Sequence, residues 1–169
     1  MAQTHIIYLL TGGNLGDRIA TLLSAKQLIQ ERLGKIVQTS SFYETAAWGE
    51  VDQPDYINQA LEVATTLSPK EVLKVIFNIE ASLGRVRRSK WESRPIDIDI
   101  LFYDDLILET KELTIPHPRL HRRNFVLIPM LEIAPELVHP ILKKTIEELY
   151  EDSEDDLDVI LLEPVASGQ

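Results

Sequence analysis

Two aspartates, Asp97 and Asp99, alternate with Ile96, Ile98 and Ile100 near the middle of the chain. In a β-strand this alternation sends the isoleucines into a core and both carboxylates to the opposite face, roughly 6–7 Å apart at the backbone. Such a pair can hold two magnesium ions about 3.5–4 Å apart for displacement at a phosphorus atom. A solvated strand face is the alternative, but strands are depleted in aspartate, and two carboxylates in register repel.

Basic residues cluster on both sides of this pair. Residues 84–94 carry five basic residues against one acid, and Arg119, His121, Arg122 and Arg123 form a second cluster. A run of like charges is often only a solvated loop. Beside two carboxylates, however, guanidinium groups are suited to gripping phosphate oxygens while metal neutralises the remaining charge. The two features together predict a site for a polyphosphate.

The composition excludes several classes of protein. The chain has 169 residues, 44% of them hydrophobic, which is enough for the core of one domain. It has no apolar run of about 18 residues and no secretory pattern, so we expect no membrane span and a cytoplasmic location. It has no cysteine, which excludes disulfides, thiolate zinc sites and thiol catalysis.

The net charge of -10 is concentrated at one end of the chain. Residues 145–169 carry nine acids and no base, whereas residues 1–144 carry 17 bases and 18 acids. We therefore predict a single, nearly neutral domain over residues 1–144, followed by an acidic C-terminal helix and mobile tail over residues 145–169.

Hydrophobic periodicity and turn residues predict the elements that position the site. We expect a strand at 5–10, a helix at 17–33, extended segments at 36–45 and 56–66, a helix at 69–83 and a strand at 97–103. Ser68 and Glu71 form a capping box for the second helix, and Gly84 ends it. The order βαββαβ predicts a ferredoxin-like α+β fold, mainly antiparallel, with helices on one sheet face and the other free for a ligand.

The remaining segments are less regular. Residues 106–108 suggest a short strand, residues 113–123 a loop, and residues 124–132 an apolar helix. Residues 12–17 (GGNLGD) lack the spacing of a dinucleotide-binding or P-loop fingerprint. The glycines there either allow a close approach to a ligand or form an ordinary turn between strand and helix.

Four sequence blocks carry a resemblance that covers most of the first 140 residues. They are GNLGDR at 13–18; SFYET at 41–45 with DQPDYIN at 52–58; GRVR at 84–87 with Trp91 and RPIDIDI at 94–100; and PHPR at 116–119 with Arg123, Phe125 and EIAP at 132–135. The chain resembles the 6-hydroxymethyl-7,8-dihydropterin pyrophosphokinases of the folate pathway. These enzymes move the β,γ-diphosphoryl group of ATP to the pterin hydroxymethyl oxygen and release AMP.

The resemblance implies roles at the phosphate end of the site. Asp97 and Asp99 are expected to hold two Mg²⁺ ions that bridge the phosphates of the co-substrate ATP, and Arg85 and Arg94 to grip phosphate oxygens during transfer. Trp91 is expected to close over the site. The full set implied to contact the nucleotide is Glu80, Arg87, Trp91, Ile100, His117 and Arg123. Without the resemblance, Glu80 is equally well a helix-surface charge.

For the pterin, the resemblance implies aromatic stacking and an amide that reads the ring edge. Tyr56 and Phe125 are expected to stack on the ring, although core packing is the alternative for both. Asn58 and the backbone near Thr45 are expected to hydrogen-bond the ring, with Asp97 also close to this substrate. We assign no general base, because positioning and charge neutralisation supply most of the acceleration in such transfers.

The chain departs from the family pattern at several positions. Gly13 replaces a usual serine, residues 46–48 (AAW) replace a proline-containing stretch, and Arg122 replaces an acid. Glu92 and Ser93 replace a usual Gly-Pro beside Trp91, which bears on the shape of the basic loop.

Two other classes of function compete with the enzyme. A silent nucleotide- or pterin-binding module, with an acidic tail that recruits a partner, is disfavoured because binding alone does not require Asp97, Asp99, Arg85 and Arg94 together. A two-metal nuclease is disfavoured by the lack of a broad basic surface. We therefore expect small-molecule substrates, no nucleic-acid or membrane partner, and a monomer.

Overall fold

A computed structural model describes residues 3–46, 55–84 and 95–162. The helices and strands, in chain order, are β1 (His5–Gly13), α1 (Arg18–Arg32), β2 (Lys35–Thr39), β3 (Tyr43–Thr45), β4 (Tyr56–Thr65), α2 (Pro69–Ser82), β5 (Asp97–Tyr103), β6 (Leu108–Glu109), β7 (Thr114–Ile115), a 3-10 helix (Leu120–Arg122), α3 (Asn124–Ile133), α4 (Ile146–Asp152) and β8 (Val159–Leu161).

The main sheet is antiparallel and places β5, β1, β4, β3 and β8 side by side in that order. Strand β2 also pairs with β4, further along the edge on which β3 pairs. With β2 and β3 taken as one interrupted strand, the chain order is βαββαβ, and the predicted ferredoxin-like α+β fold is confirmed.

The prediction of a single extended segment at 36–45 is wrong, because the chain forms two strands, β2 and β3, that are interrupted at Ser40. Ser40 Oγ accepts a hydrogen bond from the Ala60 backbone N–H at 2.9 Å, in the place of a strand carbonyl. The next N–H, that of Ser41, turns away from the sheet and donates to the Glu132 carboxylate at 3.0 Å. These side-chain partners are distant in sequence, so local periodicity does not reveal the break.

Helices α1 and α2 cover one face of the sheet. Their apolar residues, including Leu22, Ile29 and Ile76, pack with Ile7 and Leu9 of β1 in one fully buried core. The capping box predicted for α2 is confirmed, since the side chains and backbone N–H groups of Ser68 and Glu71 exchange hydrogen bonds. Periodicity and capping agree in this helix, which explains why its bounds were predictable.

The opposite face is not free along its whole length, so this part of the prediction is wrong. Tyr8, Leu10 and Phe102 form a second core with residues of α3 and α4, including Leu127 and Met130. These helices cover the part of the face nearest the middle of β1. The end of the face near Gly12 carries polar residues instead, and the candidate site lies there.

The segments after β5 are more ordered than predicted. The short strand lies at Leu108–Glu109, not 106–108, and it pairs with Thr114–Ile115 inside the predicted loop. The acidic helix is present as α4, but the chain then returns to the sheet, where β8 pairs with β3. Residues 159–161, predicted as part of a tail, therefore form a strand of the main sheet. Over the described ranges, no helix is long and apolar enough to cross a membrane.

Candidate active site

The two aspartates lie on strand β5 as their spacing predicts. Ile98 and Ile100 are buried in the core beneath α1 and α2, while Asp97 is partly exposed and Asp99 is exposed. The alternation of the strand therefore sends both carboxylates to the sheet face opposite these helices. Carboxylate oxygens on an accessible face are hard donors suited to Mg²⁺.

Gly12 lies between Asp97 and Asn58 in one row across three strands, because it is the register partner of both. The Asn58 amide lies over this glycine and donates from Nδ2 to the Thr11 carbonyl at 3.3 Å. A Cβ atom on Gly12 would stand only 2.2 Å from Asn58 Nδ2. Glycine is thus needed for the close approach of the amide. The same register places Asn58 two strands, or about 10 Å, from Asp97.

The neighbouring row holds Thr45 and Tyr56, which are register partners on β3 and β4. Thr45 is only 4% exposed, and its buried Oγ1 makes no hydrogen bond to any described residue. A buried hydroxyl of this kind is costly unless another group satisfies it. Thr45, Tyr56 and Asn58 therefore form a compact patch on the same sheet face as the aspartates.

Arg123 and Phe125 approach this face from the start of α3. The guanidinium carbon of Arg123 lies 5.5 Å from the centroid of the Phe125 ring, which is a cation–π contact. Burial and the Arg119 guanidinium lower the pKa of Arg123, whereas the Asp99 and Asp155 carboxylates act in the opposite direction. Arg123 thus stands near a carboxylate of β5 while it contacts an aromatic ring.

His117 is half-buried beside the same arginines. Its backbone N–H donates to the Leu101 carbonyl at 3.0 Å, and its Nδ1 accepts from the Arg119 N–H at 3.3 Å. Burial and the positive charges of Arg123 and Arg119 lower the pKa of His117 to about 4. At neutral pH the ring is uncharged, and because Nδ1 accepts, Nε2 carries the proton and is a hydrogen-bond donor.

Glu80 and Ile100 reach the site differently from the other residues. Glu80 is only 4% exposed, so its interpretation as a solvated helix-surface charge is wrong. From α2, its carboxylate accepts a hydrogen bond at 2.9 Å from the backbone N–H of Ile98, between the two aspartates. The Ile100 side chain packs in the core, which leaves its backbone for any contact with a nucleotide.

The basic loop lies outside the described residues, and with it four predicted site residues: Arg85, Arg87, Trp91 and Arg94. Trp48 also lies outside them. Among the residues that the structure does describe, no group of three or more His, Cys, Asp or Glu side chains could hold a metal ion. Asp97 and Asp99 therefore provide two carboxylates, not a full metal cage.

Comparison with known proteins agrees with the resemblance. A family profile described as 7,8-dihydro-6-hydroxymethylpterin-pyrophosphokinase (HPPK) matches residues 8–135. The chain belongs to this family. The 2-amino-4-hydroxy-6-hydroxymethyldihydropteridine pyrophosphokinase of Aquifex aeolicus is 44% identical over 142 residues, which are 84% of this chain and 88% of that protein. The Synechocystis protein of the same name is 40% identical over 167 residues, covering 98% of this chain and 83% of its own length.

Solved structures of HPPK proteins share the fold. A triple mutant of Plasmodium falciparum HPPK-DHPS with STZ-DHP matches with a TM-score of 0.74 at 22% identity. The match covers 89% of this chain but only 43% of that one, so the likeness concerns the HPPK fold alone.

Sequence reasoning gave no role to Arg18, although it lies within one of the HPPK blocks. Arg18 Nη1 donates to Glu44 Oε2 and to the Asp55 carbonyl, both at 2.7 Å. Glu44 lies on β3 and Asp55 just before β4, so a single side chain ties the start of α1 to the two strands that carry Thr45 and Tyr56. An arginine four positions after Asn14 gives no hint of such distant partners.

Glu132 was also given no role, and it connects α3 to β3. Its carboxylate accepts from the Ser41 N–H and hydroxyl at 3.0 Å and from the Tyr43 hydroxyl at 2.7 Å. Burial and this carboxylate raise the pKa of Tyr43. Two separate HPPK blocks, at 41–45 and 132–135, thus meet in a hydrogen-bonded contact that fixes α3 against the sheet.

Proposed function

We propose that this chain transfers the diphosphoryl group of ATP to the hydroxyl of 6-hydroxymethyl-7,8-dihydropterin, giving the pterin diphosphate and AMP in folate biosynthesis. Membership of the HPPK family and the curated names of its relatives support this activity. The structural observation that best supports this activity is that one sheet face presents five of the predicted site residues: Asp97, Asp99, Asn58, Thr45 and Tyr56.

At one end of this face, we propose that Asp97 and Asp99 hold two Mg²⁺ ions. A pair of carboxylates fits this metal, which usually binds proteins through one or two carboxylates and completes its shell with water and substrate phosphates. Bound there, the ions would neutralise the charge of the transferred phosphates. We propose that Arg123 and the Nε2–H of the neutral His117 donate to phosphate oxygens beside these ions.

At the other end, we propose that the pterin ring lies against the patch of Thr45, Tyr56 and Asn58. Phe125 approaches from α3 and provides an aromatic face, while the Asn58 amide and the Thr45 hydroxyl, which has no hydrogen-bond partner among the described residues, provide edge contacts. The separation of about 10 Å between Asn58 and Asp97 across three strands suits a bicyclic ring whose hydroxymethyl arm points toward the metal site.

In the reaction, the pterin hydroxyl oxygen attacks the β-phosphorus of ATP. The bond between that phosphorus and the α,β-bridging oxygen breaks, AMP leaves with the bridging oxygen, and the hydroxyl proton passes to solvent. Because no described residue is assigned as a base, the chain contributes by aligning the two substrates and by placing positive charge on the phosphates. Arg85 and Arg94 are proposed to add to this charge.

Product analysis tests the proposal directly. Purified protein with ATP, Mg²⁺ and the reduced pterin is expected to yield AMP in equal amount to the pterin diphosphate, and ADP as co-product would contradict it. Asp97→Ala and Asp99→Ala are expected to abolish Mg²⁺-dependent turnover. The exposed Asp105, just beyond β5, offers a matched control, and Asp105→Ala is expected to keep the wild-type rate.

The monomeric state stays a prediction, and light scattering of the purified chain tests it. A mass near 19.2 kDa is expected, and a mass near twice this value would contradict the prediction.

A further inference from the structure

Helix α3 begins without a cap from its own chain segment. The side chain of its N-cap residue, Arg123, makes no capping hydrogen bond among the described residues. The first helical N–H, that of Asn124, donates instead to Asp155 Oδ2 at 2.8 Å, and the Asn124 side chain donates from Nδ2 to the Asp155 carbonyl at 3.1 Å. An aspartate 31 residues later in the chain thus supplies the cap that α3 lacks.

Asp155 is itself held in place. Its backbone N–H donates to Ser153 Oγ at 3.2 Å, and its Oδ1 accepts from the Leu157 N–H at 3.0 Å. Both carboxylate oxygens therefore accept a backbone N–H. The neighbouring acids Glu154 and Asp156 are exposed, so Asp155 differs from the acidic run around it.

The residues next to this contact are those proposed to meet both substrates. Arg123 directly precedes Asn124 and interacts electrostatically with the carboxylates of Asp155 and Asp99. It also makes the cation–π contact with Phe125. Beyond Asp155 the chain continues into β8, where Val159 is the register partner of Thr45. Residues 153–161, which we term the C-terminal strap, therefore join the start of α3 to the strand that carries Thr45.

We infer that Asp155 is a positioning residue of the active site. By capping α3 and facing Arg123, it holds Arg123 and Phe125 at a fixed distance from the sheet face, and the strap sets the opening between α3 and β3. The strap lies outside residues 8–135, which the HPPK family profile matches, and this inference rests on the proposed function.

The test compares variants by their kinetic constants. Asp155→Ala removes the cap and is expected to raise the KM for the pterin at least fivefold and the KM for ATP at least threefold, with kcat within threefold of wild type. A purely structural role would lower the melting temperature and the active fraction, and hence kcat, without changing either KM. Asp156→Asn removes one charge from an exposed neighbour and is expected to leave kcat and both KM values unchanged.

A second variant covers the case in which Asp155→Ala is unfolded at the assay temperature. Asn124→Ala removes only the contact to the Asp155 carbonyl and keeps every charge, and it is expected to raise the KM for the pterin at least twofold. Unchanged KM values in the folded variants would overturn the positioning role while leaving the proposed function intact. Failure of the wild type to form AMP would refute the proposed function instead.

Discussion

Substitution of Gly12 by alanine tests whether the Asn58 amide serves substrate recognition. The added methyl carbon would stand 2.2 Å from Asn58 Nδ2 and 3.3 Å from the Ile57 carbonyl oxygen. The strand itself cannot shift easily, because Gly12 is paired with β4 and β5 at once. The amide must therefore swing away, which breaks its hydrogen bond to the Thr11 carbonyl.

The magnitudes differ for stability and for binding. Overpacking a core costs about 1–3 kcal/mol, and we expect the lower half of this range because the displaced atom is the end of a side chain. For a chain of this length, about 1–2 kcal/mol lowers the melting temperature by roughly 2–8 °C. Loss of the amide contacts to the pterin, about 1.4 kcal/mol, raises the KM for the pterin roughly tenfold.

The assay measures both KM values and the melting temperature, with Gly34→Ala as the control. A Cβ atom on Gly34 would stand 2.0 Å from the Ala64 backbone oxygen, which cannot rotate away, and Gly34 lies between α1 and β2, far from Asn58. Gly34→Ala is expected to lower the melting temperature at least as much and to leave the KM for the pterin unchanged. A Gly12→Ala enzyme with wild-type KM for the pterin would refute this account of Asn58.

Three further predictions concern the side chains of Glu80, Glu132 and His117. Glu80→Ala leaves the Ile98 N–H unsatisfied and is expected to lower the free energy of unfolding by about 2–3 kcal/mol in urea titrations, and no change would contradict the buried hydrogen bond. Glu132→Ala removes the acceptor of the Tyr43 hydroxyl and is expected to cost about 1–3 kcal/mol and to lower the pKa of Tyr43 in spectrophotometric titration. Because the folded protein keeps His117 neutral down to about pH 4, its contribution to stability is complete above about pH 6.5 and lost as the pH falls toward 4. The slope is up to about 1.4 kcal/mol per pH unit, and an equal slope in His117→Gln would exclude this residue as its source.

The features that the sequence predicted well are those set by local spacing. The alternation of Asp97 and Asp99 with isoleucines fixed the face of β5 on which the carboxylates lie, and Ser68 with Glu71 fixed the start of α2. In both cases residues within a few positions of each other determine the result. The ferredoxin-like order of elements followed from these local predictions.

The features that were missed depend on partners far away in the chain. The division of the strand at Ser40 depends on Ala60, and the start of α3 depends on Asp155. The burial of Glu80 depends on its contact with β5 and not on helical periodicity, which places a glutamate on the surface. Periodicity cannot report such contacts, because they exist only after the sheet and helices have assembled.

The buried Glu80 also affects how the sheet ends. Within the described sheet β5 is an outermost strand, and such strands can recruit a strand from another molecule through their unpaired N–H and C=O groups. By accepting the Ile98 N–H, the Glu80 carboxylate occupies one of these groups and places a side chain where an incoming strand would lie. We therefore expect Glu80, which holds the backbone N–H between the two aspartates, also to hinder the pairing of a strand from another molecule along this edge.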